Sequence, residues 1–211
     1  MRIVVEALFR GRDAHSAQHV QRTGAGLRRV QALVALQPDL LIADEPTTAL
    51  DVTVQAQITD LLRELSERAG TALMFISHDL GVVAEMADDV VVMYAGKVVE
   101  AADDNTVFER PHHPYSRGLL ASIPRIGERR QRLEVIQGVV PNPLNLPSGC
   151  LFKRRCRHAM PVCDNAPPLQ EIAAGHVSRC WLTPAGEPPA IGVDPSRDVA
   201  EEAAEALSVG R

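Results

Sequence analysis

Hydrophobic and polar positions alternate along this chain in a way that predicts most of its first hundred residues. Leu27, Val30, Leu33 and Val34 recur at helical spacing, and Pro38 ends that pattern. The next four residues, 40–43 (LLIA), form an apolar run between Pro38 and Pro46, which predicts a short buried strand. Val54, Ile58, Leu61, Leu62 and Leu65 then fall on one face of an amphipathic helix, with Asp51 as its N-cap and Gly70 as its stop. Residues 71–77 (TALMFIS) read as a second buried strand. Leu80, Val83 and Met86 mark the inward side of a short helix, and residues 89–101 read as two strands turning at Ala95-Gly96. Strand–helix–strand order of this kind predicts an α/β fold with a parallel sheet. Residues 1–22 are rich in Arg, His and Gln and show only weak periodicity, so no element is assigned there.

The texture changes after residue 101. Two short helical pieces are broken by Pro111 and Pro114, and residues 136–181 combine prolines with all four cysteines and little periodicity. Such a segment buries little apolar area, so a staple is expected to hold it. From 184 onward six acids face two arginines without a core pattern, which predicts a disordered tail. The expected organisation is an atypical segment (1–30), an α/β portion (31–101), a Cys-rich, loop-rich extension (102–182) and the tail (183–211). No internal repeat is present.

Composition narrows the functional classes. An aromatic content of 3% and a net charge of −5 argue against a nucleic-acid surface. No apolar run approaches the roughly 20 residues of a membrane-spanning helix, and the N-terminal apolar stretch is too short for a secretory signal. The expectation is a cytosolic chain that meets a membrane only through a partner. In that setting Cys150, Cys156, Cys163 and Cys180 favour metal binding over disulfides.

The chemistry concentrates in LLIADEPTTALD, residues 40–51. Asp44 closes an apolar strand, which places its carboxylate where open α/β sheets bind ligands and where an acid can hold Mg²⁺. Glu45 beside it can orient or deprotonate an attacking water. Taken alone, the pair could equally serve as caps. The continuation decides: DEPTTALD, followed by SHD at 77–79, resembles the ATP-binding-cassette (ABC) transporter ATPases. That resemblance implies a Walker B aspartate at Asp44, a catalytic glutamate at Glu45, a D-loop aspartate at Asp51 and a switch histidine at His78, with ATP and Mg²⁺ as ligands.

The resemblance narrows further, to the ATP-binding subunits of oligopeptide and dipeptide importers. It rests on LLIADEPTTALDVTVQAQI, SHDLGVVAEMADDVVVMYAGKVVE, the His113-Pro114-Tyr115 signature and GCLFKRRCRHAMPVCDNAPPLQEIAAGHVSRCW, and it runs from about residue 35 to 182. The implied fold is a truncated ABC-type ATPase domain followed by the importer extension. The implied partners are a second ABC ATPase subunit and transmembrane permease subunits, at the cytoplasmic face of the membrane.

Cysteine spacings of five, six and sixteen intervening residues are not those of a common zinc ribbon. Four thiolates can take Zn²⁺ or a 4Fe–4S cluster, and the resemblance favours the iron–sulfur cluster, with Zn²⁺ as the alternative. Lys153, Arg154, Arg155 and Arg157 crowd the first two cysteines, where they could offset thiolate charge or simply face solvent.

Two features depart from the family pattern. The signature loop is degenerate: Thr23 and Gly24 could stand for its Ser and first Gly, but Ala25 replaces the second Gly, and the interval from Val30 to Pro38 is two residues short. Two residues turn a helix face by roughly 200°. The chain also has no phosphate loop of the form Gly-x-x-x-x-Gly-Lys followed by Ser or Thr; its single Gly-Lys pair, Gly96-Lys97, does not fit. The expectation is a truncated or frame-shifted ATPase subunit, inactive alone. The alternative is a non-enzymatic, metal-bearing remnant or interaction module.

Overall fold

The computed structural model describes residues 4–9, 17–20, 38–48, 50–123 and 135–182, the first two segments as backbone. Thr23, Gly24, the predicted helix at 27–36 and the tail at 183–211 lie outside the described residues. The chain divides into two compact units, residues 2–90 and 91–211.

Among the described residues, the first unit holds four strands in the order β2-β3-β4-β1: β1 (Val4–Phe9), β2 (Ala17–Val20), β3 (Leu40–Asp44) and β4 (Ala72–Ser77). β3 runs parallel to both β2 and β4, whereas β1 runs antiparallel to β4. The sheet is therefore mixed, not wholly parallel. β1 and β2 occupy a region where the sequence suggested no element. β1 coincides with the run VVEALF. In β3 the side chains alternate, and Leu41 and Ala43 are fully buried.

Helix α1 (Val52–Ala69) has the ends its sequence predicts. The Asp51 carboxylate accepts the Val54 N–H at 2.9 Å, and Gly70 terminates the helix at φ 64°. Leu62 is buried, while Val54, Ile58, Leu61 and Leu65 are half-buried. Thr71 donates to the Pro38 carbonyl at 2.8 Å, and the Ala72 N–H donates to the Asp39 carbonyl, so the strands after two different connections start in step. Helix α2 (Leu80–Met86) packs against β1 and β4 with Val83 and Met86 buried. Leu80, expected inward, is only half-buried.

β5 (Asp89–Tyr94), whose last four residues open the second unit, is followed by β6 (Lys97–Asp103). The two-residue turn between them carries Ala95 at φ 50° and Gly96 at φ 81°, the backbone that tight hairpins require. Helices α3 (Asp104–Glu109) and α4 (Pro114–Ala121) follow, with Asp103 and His113 as N-caps. Pro114 stands at the first position of α4, where its missing N–H costs nothing.

The extension has more structure than its periodicity predicted. Short 3₁₀ turns form at Lys153–Arg155 and Pro161–Asp164, and β7 (Gln170–Ala173) and β8 (His176–Ser178) make a hairpin whose β8 pairs antiparallel with β6. Val91, Val98, Ala101 and Val177 form a buried cluster with Met93 and Leu169 against it. Tyr94, Tyr115 and Phe152 form a second, with ring centroids 4.7–5.5 Å apart. Apolar burial of this kind supplies cohesion that the sequence assigned to a metal alone.

Candidate functional site

Asp44 and Glu45 leave the end of β3 as Ser77 and His78 leave the end of the parallel neighbour β4. Asp44 pairs with Ile76 in the ladder, and the Glu45 N–H donates to the Ile76 carbonyl at 2.8 Å. That bond pins Glu45 one step beyond the strand. Glu45 then turns through φ 47°, a left-handed conformation rare for a side chain of its size. Pro46 bars the right-handed alternative for the residue before it. Holding a residue there costs about 1–3 kcal/mol, and such strain concentrates where a side chain must be aimed.

Glu45 is aimed at His78 and Thr48. Thr48 Oγ1 donates to Glu45 Oε2 at 3.2 Å, and His78 Nδ1 lies 3.6 Å from Glu45 Oε1. The second distance suits an ion pair with a protonated imidazole and is too long for a direct hydrogen bond. The Glu45 side chain is 17% exposed and that of His78 50%, so the carboxylate is sheltered while the imidazole edge stays open. Thr48 N–H returns to the Glu45 carbonyl at 3.2 Å, closing a turn, and Gln55 Nε2 holds the buried Thr47 through its carbonyl at 3.1 Å. Asp79 caps α2 and its own N–H donates to Ser77 Oγ, which fixes the backbone on either side of His78.

The structure thus brings Asp44, Glu45 and His78 to one sheet edge. Asp51 is exposed and engaged as the α1 cap. Thr48 and Gln55 escaped sequence reasoning. Thr48, three residues after Glu45 in a Pro-bearing turn, carried a readable signal; Gln55 carried none, because its target is a carbonyl. Chemically, the edge offers a sheltered carboxylate with a second carboxylate beside it and an imidazole across from it. That set can hold a divalent cation's water shell and take a proton from a nucleophile.

The four cysteines are free thiols, and all four line one cavity of about 10 Å³ together with His113, His158 and Trp181. The Cys150 N–H donates to the Cys163 carbonyl at 3.0 Å, tying the first and third together. Burial pushes the Cys150 and Cys156 thiols up and the Cys180 thiol up to about 11. Among the described residues, no group of three or more His, Cys, Asp or Glu side chains is arranged to hold a metal ion as placed. The donor set is therefore gathered, though not in closed ligand geometry. The nearby cations do not uniformly offset it. Lys153 pairs with Asp164, and Arg155 donates to the carbonyls of Ile136 and Gln137.

A third cluster centres on Glu100, which is fully buried in β6. Its Oε1 accepts the His112 N–H at 2.6 Å and faces His176 Nε2 at 2.8 Å, and its Oε2 accepts the His113 N–H at 3.0 Å. His112 Nδ1 pairs in turn with Ser178 Oγ at 2.9 Å. Burial pushes the Glu100 carboxyl up, but the bonds from His176 and from the two backbone amides outweigh it, and its pKa lies below the usual value. Sequence reasoning picked out His113 and missed Glu100, His112, His176 and Ser178. A lone acid inside the apolar run VVEAA was the available signal.

Comparison with known proteins bears on both units. Residues 99–163 match the family described as the oligopeptide/dipeptide transporter C-terminal region. The chain is 51% identical over 161 residues to the oligopeptide transport ATP-binding protein OppD of Salmonella typhimurium, covering 75% of this chain and 48% of that protein. It is 49% identical over 169 residues to the oligopeptide transport ATP-binding protein AppD of Bacillus subtilis, covering 78% of this chain and 52% of that one. The chain spans about half the length of the curated relatives it matches. Among the described residues, no helix is long and apolar enough to cross a membrane.

Proposed function

We propose, from the premise that residues 99–163 belong to the oligopeptide/dipeptide transporter C-terminal region family, that this chain is the Walker B and extension portion of an ATP-binding subunit of a peptide ABC importer. Its partners would be a second ATPase subunit and transmembrane permease subunits at the cytoplasmic face of the membrane, with no nucleic acid involved. The observation that carries the reading is the strained Glu45, pinned to Ile76 and aimed at His78 and Thr48 on the shared edge of β3 and β4.

In this reading Asp44 would hold Mg²⁺ with its carboxylate. Bound Mg²⁺ would neutralise charge on the transferring phosphoryl oxygens. Glu45 accepts a hydrogen bond from the attacking water and draws its proton, while Thr48 keeps the carboxylate turned toward that position. His78, half exposed, contacts the terminal phosphate, and Asp51 at the head of α1 meets the opposite subunit. Thr23 and Gly24 would form the degenerate signature. The phosphate loop that positions a triphosphate is absent from these 211 residues. By themselves they are therefore expected to turn over no ATP.

The four cysteines would hold a 4Fe–4S cluster, or Zn²⁺ in the alternative, once their thiols are deprotonated; burial makes the protons of Cys150, Cys156 and Cys180 harder to remove. The compact second unit, with its own apolar clusters, supports the second reading of a metal-bearing interaction module. Two measurements separate these readings. The chain is assayed for ATP turnover alone and with the N-terminal half of a relative supplied as a separate polypeptide, each with and without Glu45→Gln. The expected result is no turnover alone and a Glu45-dependent rate in the mixture. A rate that ignores Glu45→Gln in the mixture would sink the ATPase reading. Metal analysis of the same sample, finding zinc without iron, would reject the cluster.

A further inference from the structure

A cavity of about 620 Å³ opens beside α4, within the second unit and apart from the Asp44–Glu45 edge. Its size is that of a small-molecule site. Arg117, Arg154, Arg155, Arg157 and His158 line it, and none of its described lining residues is an acid. This is not a reflection of the chain's composition, which is net negative at −5. Between Glu134 and Asp164, residues 135–163 contain one lysine and three arginines and no Asp or Glu.

The cavity is also built, not merely open. Arg155 spends its guanidinium on the carbonyls of Ile136 (3.1 Å) and Gln137 (2.9 Å) and on the Tyr94 hydroxyl (3.4 Å), so it fixes the wall instead of facing a ligand. Gly118 on α4 abuts Ile136 so closely that a Cβ there would sit 2.8 Å from the Ile136 side chain. The buried Phe152 ring, locked among Tyr94 and Tyr115, adds an apolar surface. Arg117 is steadied by its Nε bond to the Pro111 carbonyl at 2.8 Å. Arg154 and Arg157 are exposed at the mouth, and Arg154 has no ion-pair partner among the described residues.

We propose that this cavity is a binding site for a small organic oxyanion, a phosphate ester or a carboxylate, with Arg117, Arg154 and Arg157 gripping the charged oxygens and Ile136 and Phe152 packing against the body. Guanidinium forks match both oxyanions. The two sources are told apart by the probes.

The 211-residue chain is titrated by calorimetry with pyrophosphate, AMP and trialanine, and the titrations are repeated on Arg154→Gln/Arg157→Gln and on Asp44→Asn. Saturable binding is expected for the phosphate probes if the ligand is a phosphate ester and for trialanine if it is a carboxylate. The double substitution should weaken that binding at least roughly tenfold, the loss expected when charge-assisted bonds are removed. Asp44→Asn should leave it unchanged, so the outcome is independent of the ATPase reading. Both arginines are exposed, and unchanged thermal melting of the double variant confirms that it folds. No saturable binding of any probe, binding that the double variant retains, or binding abolished by Asp44→Asn would overturn the proposal.

Discussion

Glu100→Gln removes a charge and almost no volume, which makes it the sharpest probe of what holds the extension to β6. The carboxylate accepts three bonds, from the His112 and His113 amides and from His176 Nε2. A glutamine keeps one acceptor oxygen. Its best placement leaves that oxygen with His112 and His176 and turns its NH₂ toward the His113 N–H, donor against donor. An orphaned buried donor costs about 1–3 kcal/mol, and the two surviving bonds lose their charge assistance. The expected destabilisation is about 2–4 kcal/mol, with a fall in melting temperature of roughly 5–10 °C. Glu100→Ala, which orphans all three donors and leaves a void, should cost more. Urea denaturation followed by Trp181 fluorescence reads this directly, since Trp181 is the single tryptophan, lies buried in the same unit and donates its indole N–H to the Asn165 carbonyl at 3.0 Å. A Glu100→Gln midpoint within about 0.5 kcal/mol of the parent would refute the assignment of Glu100 as the anchor.

Acid should weaken the same unit in two separate windows. Burial lowers the His113 pKa to about 4, so between pH 6.5 and 4 the unfolded chain binds a proton that the folded one refuses, and stability falls with pH by about 3 kcal/mol at full extent. His112, also lowered by burial, acts in the same direction. Glu100, held below its ordinary value, contributes only at lower pH: its stabilisation is present above its unfolded pKa near 4.5 and disappears as pH drops through the folded value. His113→Asn keeps an acceptor for the Tyr115 N–H without the titration, and should flatten the denaturation midpoint between pH 4 and 6.5; an unchanged slope would rule His113 out. Gly149→Ala should destabilise by at least about 2 kcal/mol and lower any metal content, because the glycine sits at φ 79° and a Cβ would meet the Cys163 and Asp164 carbonyl oxygens at 2.6 Å. A thermal melt and metal assay unaffected by Gly149→Ala would contradict that packing.

Elements governed by local rules were legible. Asp51 and Gly70 announced the ends of α1, Ala95-Gly96 announced the hairpin, and the four-residue run before Asp44 announced β3, because caps, left-handed turns and buried strands each write short-range signals. What the chain concealed depends on distant partners. The direction of β1 is set by β4, some 65 residues away, and β8 is a three-residue strand recruited by β6, too short for any periodicity. The site follows the same division. The motif singled out Asp44, Glu45 and His78, which lie together at one edge, whereas Glu100 was hidden because its surroundings depend on His112, His113 and His176, and nothing in an apolar strand says which histidines will arrive.

The left-handed turn at Glu45 has an evolutionary corollary. A glycine would occupy that backbone without strain, so Glu45→Gly should relieve part of the local cost while deleting the carboxylate. Selection for folding alone would drift toward glycine at this position. Under the proposed role, a glutamate kept there trades stability for reactivity, and a lineage released from that demand would be expected to surrender Glu45 before the buried residues of β3 beside it.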